Sequence, residues 1–384
     1  MRLAEMVLRE NFYQILQNTV EDYFCRVHGK NVSFTYKKTD ATEKMIVNGK
    51  LGFIVRFPAP SGLRKFLLSE YNVRGSKLKY IAGKAVALAV GTLPQIGKLR
   101  NAYITKGALD KDIFISPQNR SVRFFNYKAM TVDCIIKSGF TDKYFNNQLD
   151  FREKYQYDFM LPLLDSGDGW FREPILMGHP LARVTDEVVY QKGTCDALSY
   201  IGRLAAETLT YEKMRAYIGS LEEKIYRLLV QAHARKHIAS LEITKRIVDL
   251  AIHWSSAAPE QIPLCMSHGD FQGGNIWVDV KGKTWIYDWE TVGQRSIWYD
   301  SAVLNYSLRR NYGWKNLLED TEPKAVLSCD LEKERSLESY QGIKGILVLE
   351  DILFYLEDML ELPENWGAEL YDAFILRMKN LLFS

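Results

Sequence analysis

The 384-residue sequence has no close cysteine pair, no long uncharged apolar run and no glycine-rich G-x-G-x-x-G turn. Its five cysteines, Cys25, Cys134, Cys195, Cys265 and Cys329, are scattered and odd in number. That excludes a zinc site of paired thiolates and a disulfide framework, and the cysteines read as reduced, mostly buried thiols. The most apolar windows, such as "YIAGKAVALAVG", are short and carry a lysine, and the opening "MRLAEMVLRENF" has charges inside any apolar core. Neither a secretory signal nor a membrane span is expected, and the expected location is the cytoplasm. Internal repeats, low-complexity tracts and coiled-coil runs are absent as well.

What is present is ordinary globular material, 47% hydrophobic and 25% charged, long enough for two or three compact units. The net charge of +3 conceals an asymmetry. Residues 1–128 hold 22 Lys and Arg against 9 Asp and Glu, a net +13, so the remainder carries −10. The two parts meet different electrostatic demands.

Helical spacing runs through residues 1–25, with Leu3, Met6, Val7, Tyr13, Leu16, Val20 and Phe24 recurring every three or four positions. From about residue 110 short strands follow, "DIFISP", "VRFFN" and "TVDCIIK", then a helix in "DKYFNNQLDFREKY". After residue 185 helical patterns dominate. The order predicts an α+β, bilobal chain: a small antiparallel β unit with one helix, a short connector and a large helical unit. The expected divisions are 1–106, a basic extension of unassigned role; 107–178, the strand-rich unit; and 179–384, the helical unit.

The stretch "SHGDFQGGNIWVDVKGKTWIYDWE", residues 267–290, interrupts the helices. "NIWVDV" and "KTWIYD" predict a hairpin, which brings Asp270, Asn275 and Asp288 to one end of it. Two carboxylates and a side-chain amide in one place suit a divalent, oxygen-preferring cation and a proton acceptor. Asn275 and Asp288 offer hard ligands for Mg²⁺, and Asp270 is left to orient a hydroxyl. Gly269, Gly273 and Gly274 let the loop approach a ligand closely.

These residues resemble the catalytic loop of the protein-kinase-like superfamily, in the "HGD" form of aminoglycoside phosphotransferases, choline kinases and related small-molecule kinases. His268-Gly269-Asp270 with Asn275 reproduces H-G-D-x4-N, and "IYDWE" is similar to that family's metal-binding segment. The resemblance implies a protein-kinase-like fold, ATP and Mg²⁺ as cofactors, and roles for individual residues. Asp270 is the catalytic carboxylate, Asn275 and Asp288 are the metal ligands, His268 braces the loop, and Asp300 hydrogen-bonds it. Glu290 is either a solvated charge or a group near metal or acceptor.

If the catalytic half is of this kind, the strand-rich unit holds the nucleotide. Lys137, which closes "TVDCIIK", is expected to grip the phosphates, with Glu153 on the following helix as its ion-pair partner; Lys128 and Asp150 are the alternatives. The phosphate-covering turn "PQNRS" contains no glycine, so Ser116, Asn119 and Ser121 are the residues that would supply side-chain donors there. An ordinary hairpin turn describes it equally well. In the connector "EPILMGHPL", Ile175, Leu176 and Met177 pack either on adenine or in the core.

The function these expectations define is transfer of the γ-phosphate of ATP to a hydroxyl of a small molecule or of a surface-glycan or glycolipid sugar. Two alternatives stand beside it. One is a catalytically silent binding module, suggested by the glycine-free turn. The other is a protein kinase, disfavoured by "HGD", by "DWE" and because no A-P-E-bounded activation segment follows them. Residues 41–106 carry 12 Lys and Arg against Glu43 and Glu70, interleaved with apolar side chains. That pattern suits an anionic membrane surface, and the alternative is a basic domain that pairs with the acidic remainder. Nucleic acid is not expected as a partner, because the whole chain is only weakly basic and no recognition motif is present.

Overall fold

The computed structural model describes residues 3–38, 43–49, 52–56, isolated positions between 81 and 93, 95–107, 112–236, 238–256, 260–320, 340–362 and 367–383. Most of the basic stretch 57–94, and the acidic stretch 321–339, lie outside these. The chain divides into two compact units, Met1–Gly193 with Trp277–Tyr287, and Thr194–Ile276 with Asp288–Ser384.

The first unit is built on an antiparallel sheet. Its strands are β1 (Ser33–Thr35), β2 (Glu43–Asn48), β3 (Phe53–Arg56), β4 (Lys98–Lys106), β5 (Ile113–Pro117), β6 (Ser121–Asn126), β7 (Thr131–Ile136), β8 (Asp165–Gly167) and β9 (Trp170–Pro174). They lie in the order β1-β4-β2-β3-β5-β6-β7-β9-β8. The described strands before residue 107 therefore share a sheet with β5–β9, joined where Ile54 of β3 pairs with Ile115 of β5. Helices α1 (Leu3–Arg9) and α2 (Phe12–His28) cover one face. Phe12, Leu16, Val20 and Phe24 recur at helical spacing and bury against Phe34, Ile54, Val122, Phe124 and Ile135. Helix α3 (Lys143–Lys154) covers the other face, where Phe145 and Leu149 meet Cys134 and Phe171. Since strand side chains alternate, β7 presents Ile135 to α1–α2 and Cys134 to α3.

A smaller sheet of β10 (Gly178–Pro180), β13 (Ile276–Asp279) and β14 (Thr284–Ile286) completes this unit. Of the bases in 41–106 that are described, Arg56 pairs with Glu43 at 2.6 Å and the Arg100 guanidinium lies 4.8 Å from the Tyr13 ring centre.

The second unit is mainly helical: α4 (Glu187–Thr208, which begins in the first unit), α5 (Met214–Lys236), α6 (Leu241–Ser255), α7 (Tyr299–Asn305), α8 (Gly313–Glu319), α9 (Tyr340–Glu361) and α10 (Ala368–Leu382). Its core gathers Trp314, Tyr371, Phe374, Ile352 and Leu356. Running through it is a three-stranded sheet of β11 (Thr210–Lys213), β12 (Gln261–Ser267) and β15 (Gly293–Ser296). The fold is thus α+β, with an antiparallel-sheet unit and a helical unit. Among the described residues no helix is long and apolar enough to cross a membrane.

Candidate active site

Strand β12 is anchored on both sides by β11 and β15 and ends at Ser267. Its last residues therefore deliver "HGD" from a fixed scaffold. Gly269 has φ +84°, and an added Cβ would collide with the Thr291 carbonyl oxygen. Only glycine combines that backbone conformation with that close approach. His268 is fully buried against Trp289, its carbonyl accepts from Thr291 Oγ1 at 2.9 Å, and its Nδ1 accepts from the Asp270 N–H at 3.3 Å. It is a structural residue of the loop.

Asp300, in the first turn of α7, accepts from Ser267 Oγ at 2.8 Å, His268 N at 2.6 Å and Gly269 N at 2.9 Å. One carboxylate thus satisfies two consecutive buried amides, groups that are costly to bury unpaired.

Asp270 faces a dense set of donors. Oδ2 accepts from Gln272 Nε2 at 2.8 Å and Asn275 Nδ2 at 3.0 Å, while Oδ1 accepts from Arg309 Nε at 2.9 Å. Burial opposes ionisation of Asp270, but the Arg309 charge and the Gln272 hydrogen bond outweigh it and hold the carboxyl below its ordinary value. Its side chain keeps 23% of its surface exposed, whereas Arg309 keeps 9%. Asn275 Nδ2 also donates to the Asp270 carbonyl at 2.8 Å. With the amide nitrogen engaged twice, Oδ1 of Asn275 is the atom left to act as a ligand.

Asp288 lies two residues beyond β14, with φ 67° and ψ 62°, a left-handed conformation that aspartate tolerates better than most residues. Asn275 directly precedes β13, so the two oxygen donors flank the same end of the hairpin. An amide oxygen and a carboxylate fit Mg²⁺, which takes few protein ligands and completes its octahedron with water and phosphate oxygens. Among the described residues no group of three or more His, Cys, Asp or Glu is gathered for a metal. Glu290 is half-buried in the 3-10 turn Trp289–Thr291.

Sequence reasoning missed Arg309, Asp351 and Gln272. Arg309 reaches the loop from beyond α7 and binds Asp351 of α9 through Nη1 at 2.5 Å. No spacing rule links position 309 to 270, because their meeting depends on how α7 and α9 pack. Gln272 stands inside the motif, but its role emerges only from the curl of the loop.

The expected ion pair between Lys137 and Glu153 is a correction. Lys137 is not brought to Glu153: its Nζ lies 2.8 Å from Glu10 Oε1, with both side chains 1% exposed. The physical reason is strand parity. Lys137 follows Asp133 and Ile135 onto the face that α1–α2 cover, whereas α3, which carries Glu153, covers the Cys134 face. Glu153 itself is exposed, as are the alternatives Lys128 and Asp150.

The charged residue that α3 turns inward is Arg152, which pairs with Glu173 at 2.9 Å. Glu173 also accepts from Tyr287 OH at 2.6 Å, and the Arg123 guanidinium lies 4.6 Å from the Tyr287 ring centre. Burial pushes the nearby Cys134 thiol up to about 11. In the β5–β6 turn Ser116 is buried and accepts from Gln118 Nε2 at 2.9 Å, Asn119 is exposed and Ser121 half-buried. Met177 is half-buried, and its carbonyl accepts from Val280 N at 3.1 Å.

Residues 172–320 match the family model described as APH, phosphotransferase enzyme family. The chain thus resembles that phosphotransferase family over the segment that carries the loop. No curated protein matches. Solved structures similar to this chain include a choline/ethanolamine kinase family protein from Mesorhizobium loti, 14% identical with a TM-score of 0.43, covering 73% of this chain and 89% of that one. Another is an ethanolamine kinase from Plasmodium vivax, 11% identical with a TM-score of 0.46, covering 81% and 91%. A third is the aminoglycoside phosphotransferase APH(4)-Ia, 14% identical with a TM-score of 0.44, covering 69% and 93%.

Proposed function

We propose that the protein is a Mg²⁺-requiring phosphotransferase that moves the γ-phosphoryl group of ATP to a hydroxyl of a small molecule or of a glycan or glycolipid sugar. The observation that carries this reading is the Asp270–Asn275 pair, 3.0 Å apart on a loop braced by Asp300, inside the segment that matches the phosphotransferase model. Asp270 receives the acceptor hydroxyl as a hydrogen-bond donor and orients its oxygen toward the phosphorus. Asn275 and Asp288 would hold the cation, which when bound supplies charge neutralisation on the phosphate oxygens. The held-down Asp270 carboxyl suits orientation of the hydroxyl more than early removal of its proton.

One observation favours a second reading, a catalytically silent binding module: the lysine that closes β7 is buried on Glu10 and not turned toward α3. A screen of purified protein for Mg·ATP consumption against alcohol, amino-alcohol, aminoglycoside, nucleoside and sugar acceptors separates the two. The transferase reading requires ADP release stimulated by one class. Stoichiometric Mg·ATP binding with no release under any acceptor supports the silent module.

Peripheral docking of the basic stretch 41–106 on an anionic membrane belongs to the same reading and would place a glycolipid acceptor near the site. It requires pelleting with anionic but not neutral vesicles, fading as added salt shortens the Debye length from about 10 to about 3 Å.

A further inference from the structure

Arg309 has a geometry that the transfer chemistry does not itself call for. Its Nε donates to Asp270 Oδ1 at 2.9 Å, Nη1 to Asp351 Oδ1 at 2.5 Å, and Nη2 to the Gly269 carbonyl at 2.9 Å and Tyr299 OH at 3.0 Å. Its guanidinium lies 4.2 Å from the Phe354 ring centre. Four of the five N–H donors of a guanidinium are thereby committed to protein atoms, and the side chain is buried. A group so committed is not a receptor for a ligand's anion. It is a fixed fork that grips the loop at two points, the Asp270 side chain and the Gly269 carbonyl.

The fork is fixed in turn. Asp351 accepts from Trp314 Nε1 at 2.9 Å and from Tyr299 OH at 2.8 Å, so the acid behind Arg309 is held by two aromatic side chains of the core.

We propose that Arg309 is a positioning residue: it orients the Asp270 carboxylate so that the remaining acceptor direction on Oδ1 meets the incoming hydroxyl. A carboxylate has about four acceptor directions. Gln272 and Asn275 take the two on Oδ2, and Arg309 takes one on Oδ1. The acceptor hydroxyl then binds beside the Arg309 Nε hydrogen bond, and the rotation of the carboxylate, set by that bond, sets the line of attack. Lysine cannot replace this, because a single ammonium cannot span Asp270, Gly269, Tyr299 and Asp351 with a planar fork. The inference rests on the proposed role of Asp270.

The test uses the full chain with Mg·ATP and whichever of water, alcohol, amino-alcohol, aminoglycoside, nucleoside and sugar acceptors releases most ADP, and reads kcat, KM for Mg·ATP and Tm. Five variants enter: Asp270→Asn, Arg309→Met, Arg309→Lys, Asp270→Asn/Arg309→Met, and Arg309→Met/Asp351→Asn. The last removes both members of the ion pair while leaving an acceptor for Trp314, so the role stays testable should the single Arg309→Met fail to fold. Arg309→Met and the Arg309→Met/Asp351→Asn variant are expected to lower kcat by about 10- to 100-fold, the cost of a slightly misplaced reacting group, with KM little changed. Arg309→Lys is expected to restore little of that loss.

The decisive reading is the cycle: with Asn at 270, loss of Arg309 lowers kcat no further, because it acts through the missing carboxylate. Equal losses in both backgrounds, or full activity of the Arg309→Met/Asp351→Asn variant, overturn the positioning role alone. A wild-type protein that releases no ADP with any of these acceptors, or an Asp270→Asn variant as fast as wild type, overturns the underlying reading of Asp270.

Discussion

Lys137 Nζ stands 2.8 Å from Glu10 Oε1, and each side chain is 1% exposed. The pair joins the residue next to α1 to the end of β7, across 127 positions of sequence. Replacing one member strands the other charge in the core, a loss of about 3–5 kcal/mol, whereas removing both together costs far less. Lys137→Met is therefore expected to lower stability to denaturant strongly, Glu10→Met/Lys137→Met to recover most of it, and the exposed Lys128→Met to change nothing. If Lys137→Met instead keeps its stability and loses Mg·ATP affinity in calorimetry, the lysine belongs to the nucleotide site after all.

Asp300 and Asp288 should separate cleanly. Asp300→Ala orphans the amides of His268 and Gly269, and each buried unpaired group costs about 1–3 kcal/mol. Its signature is a lower Tm. Asp288→Ala removes a proposed cation ligand and should abolish Mg-dependent nucleotide binding with little change in Tm. An exchange of these two phenotypes would mean that brace and ligand have been assigned the wrong way round.

Much of this was legible in the chain. "DIFISP", "VRFFN" and "TVDCIIK" alternate as strands and form β5, β6 and β7, and the H-G-D-x4-N spacing marks residues that the loop brings together, Asp270 and Asn275. The face on which Lys137 ends was not legible. Alternation groups it with Asp133 and Ile135, but which helix covers that face is decided by α1–α2, far upstream. Arg309 and Asp351 were hidden for a similar reason. Their pairing is produced by helix packing, and neither arginine in "LRRNYGW" carries a local sign of a partner 42 residues on.

Glu350 provides a pH test away from the loop. It is buried, accepting from Ser296 N, Ser296 Oγ and Tyr217 OH, and burial outweighs those bonds to push its carboxyl above the ordinary 4.5. The folded state therefore holds this proton more tightly than the unfolded chain. The group's contribution to stability is full below pH 4.5 and is lost as pH rises through the raised folded value. Glu350→Gln removes that slope, so the Tm difference between variant and wild type should move in the variant's favour from about pH 5 to about pH 8. A constant difference across that range would show that Glu350 does not titrate there.

The measurement closest to the central claim compares wild type with Asp270→Asn in Mg·ATP consumption, using the best acceptor found in the screen. The variant keeps an oxygen for Arg309 and turns an NH2 toward Gln272, whose amide can rotate to present its oxygen, so Tm and Mg·ATP affinity are expected to stay near wild type while kcat falls by about 10² to 10⁴. Equal turnover by the two proteins would contradict the account, because it would remove Asp270 from the chemistry.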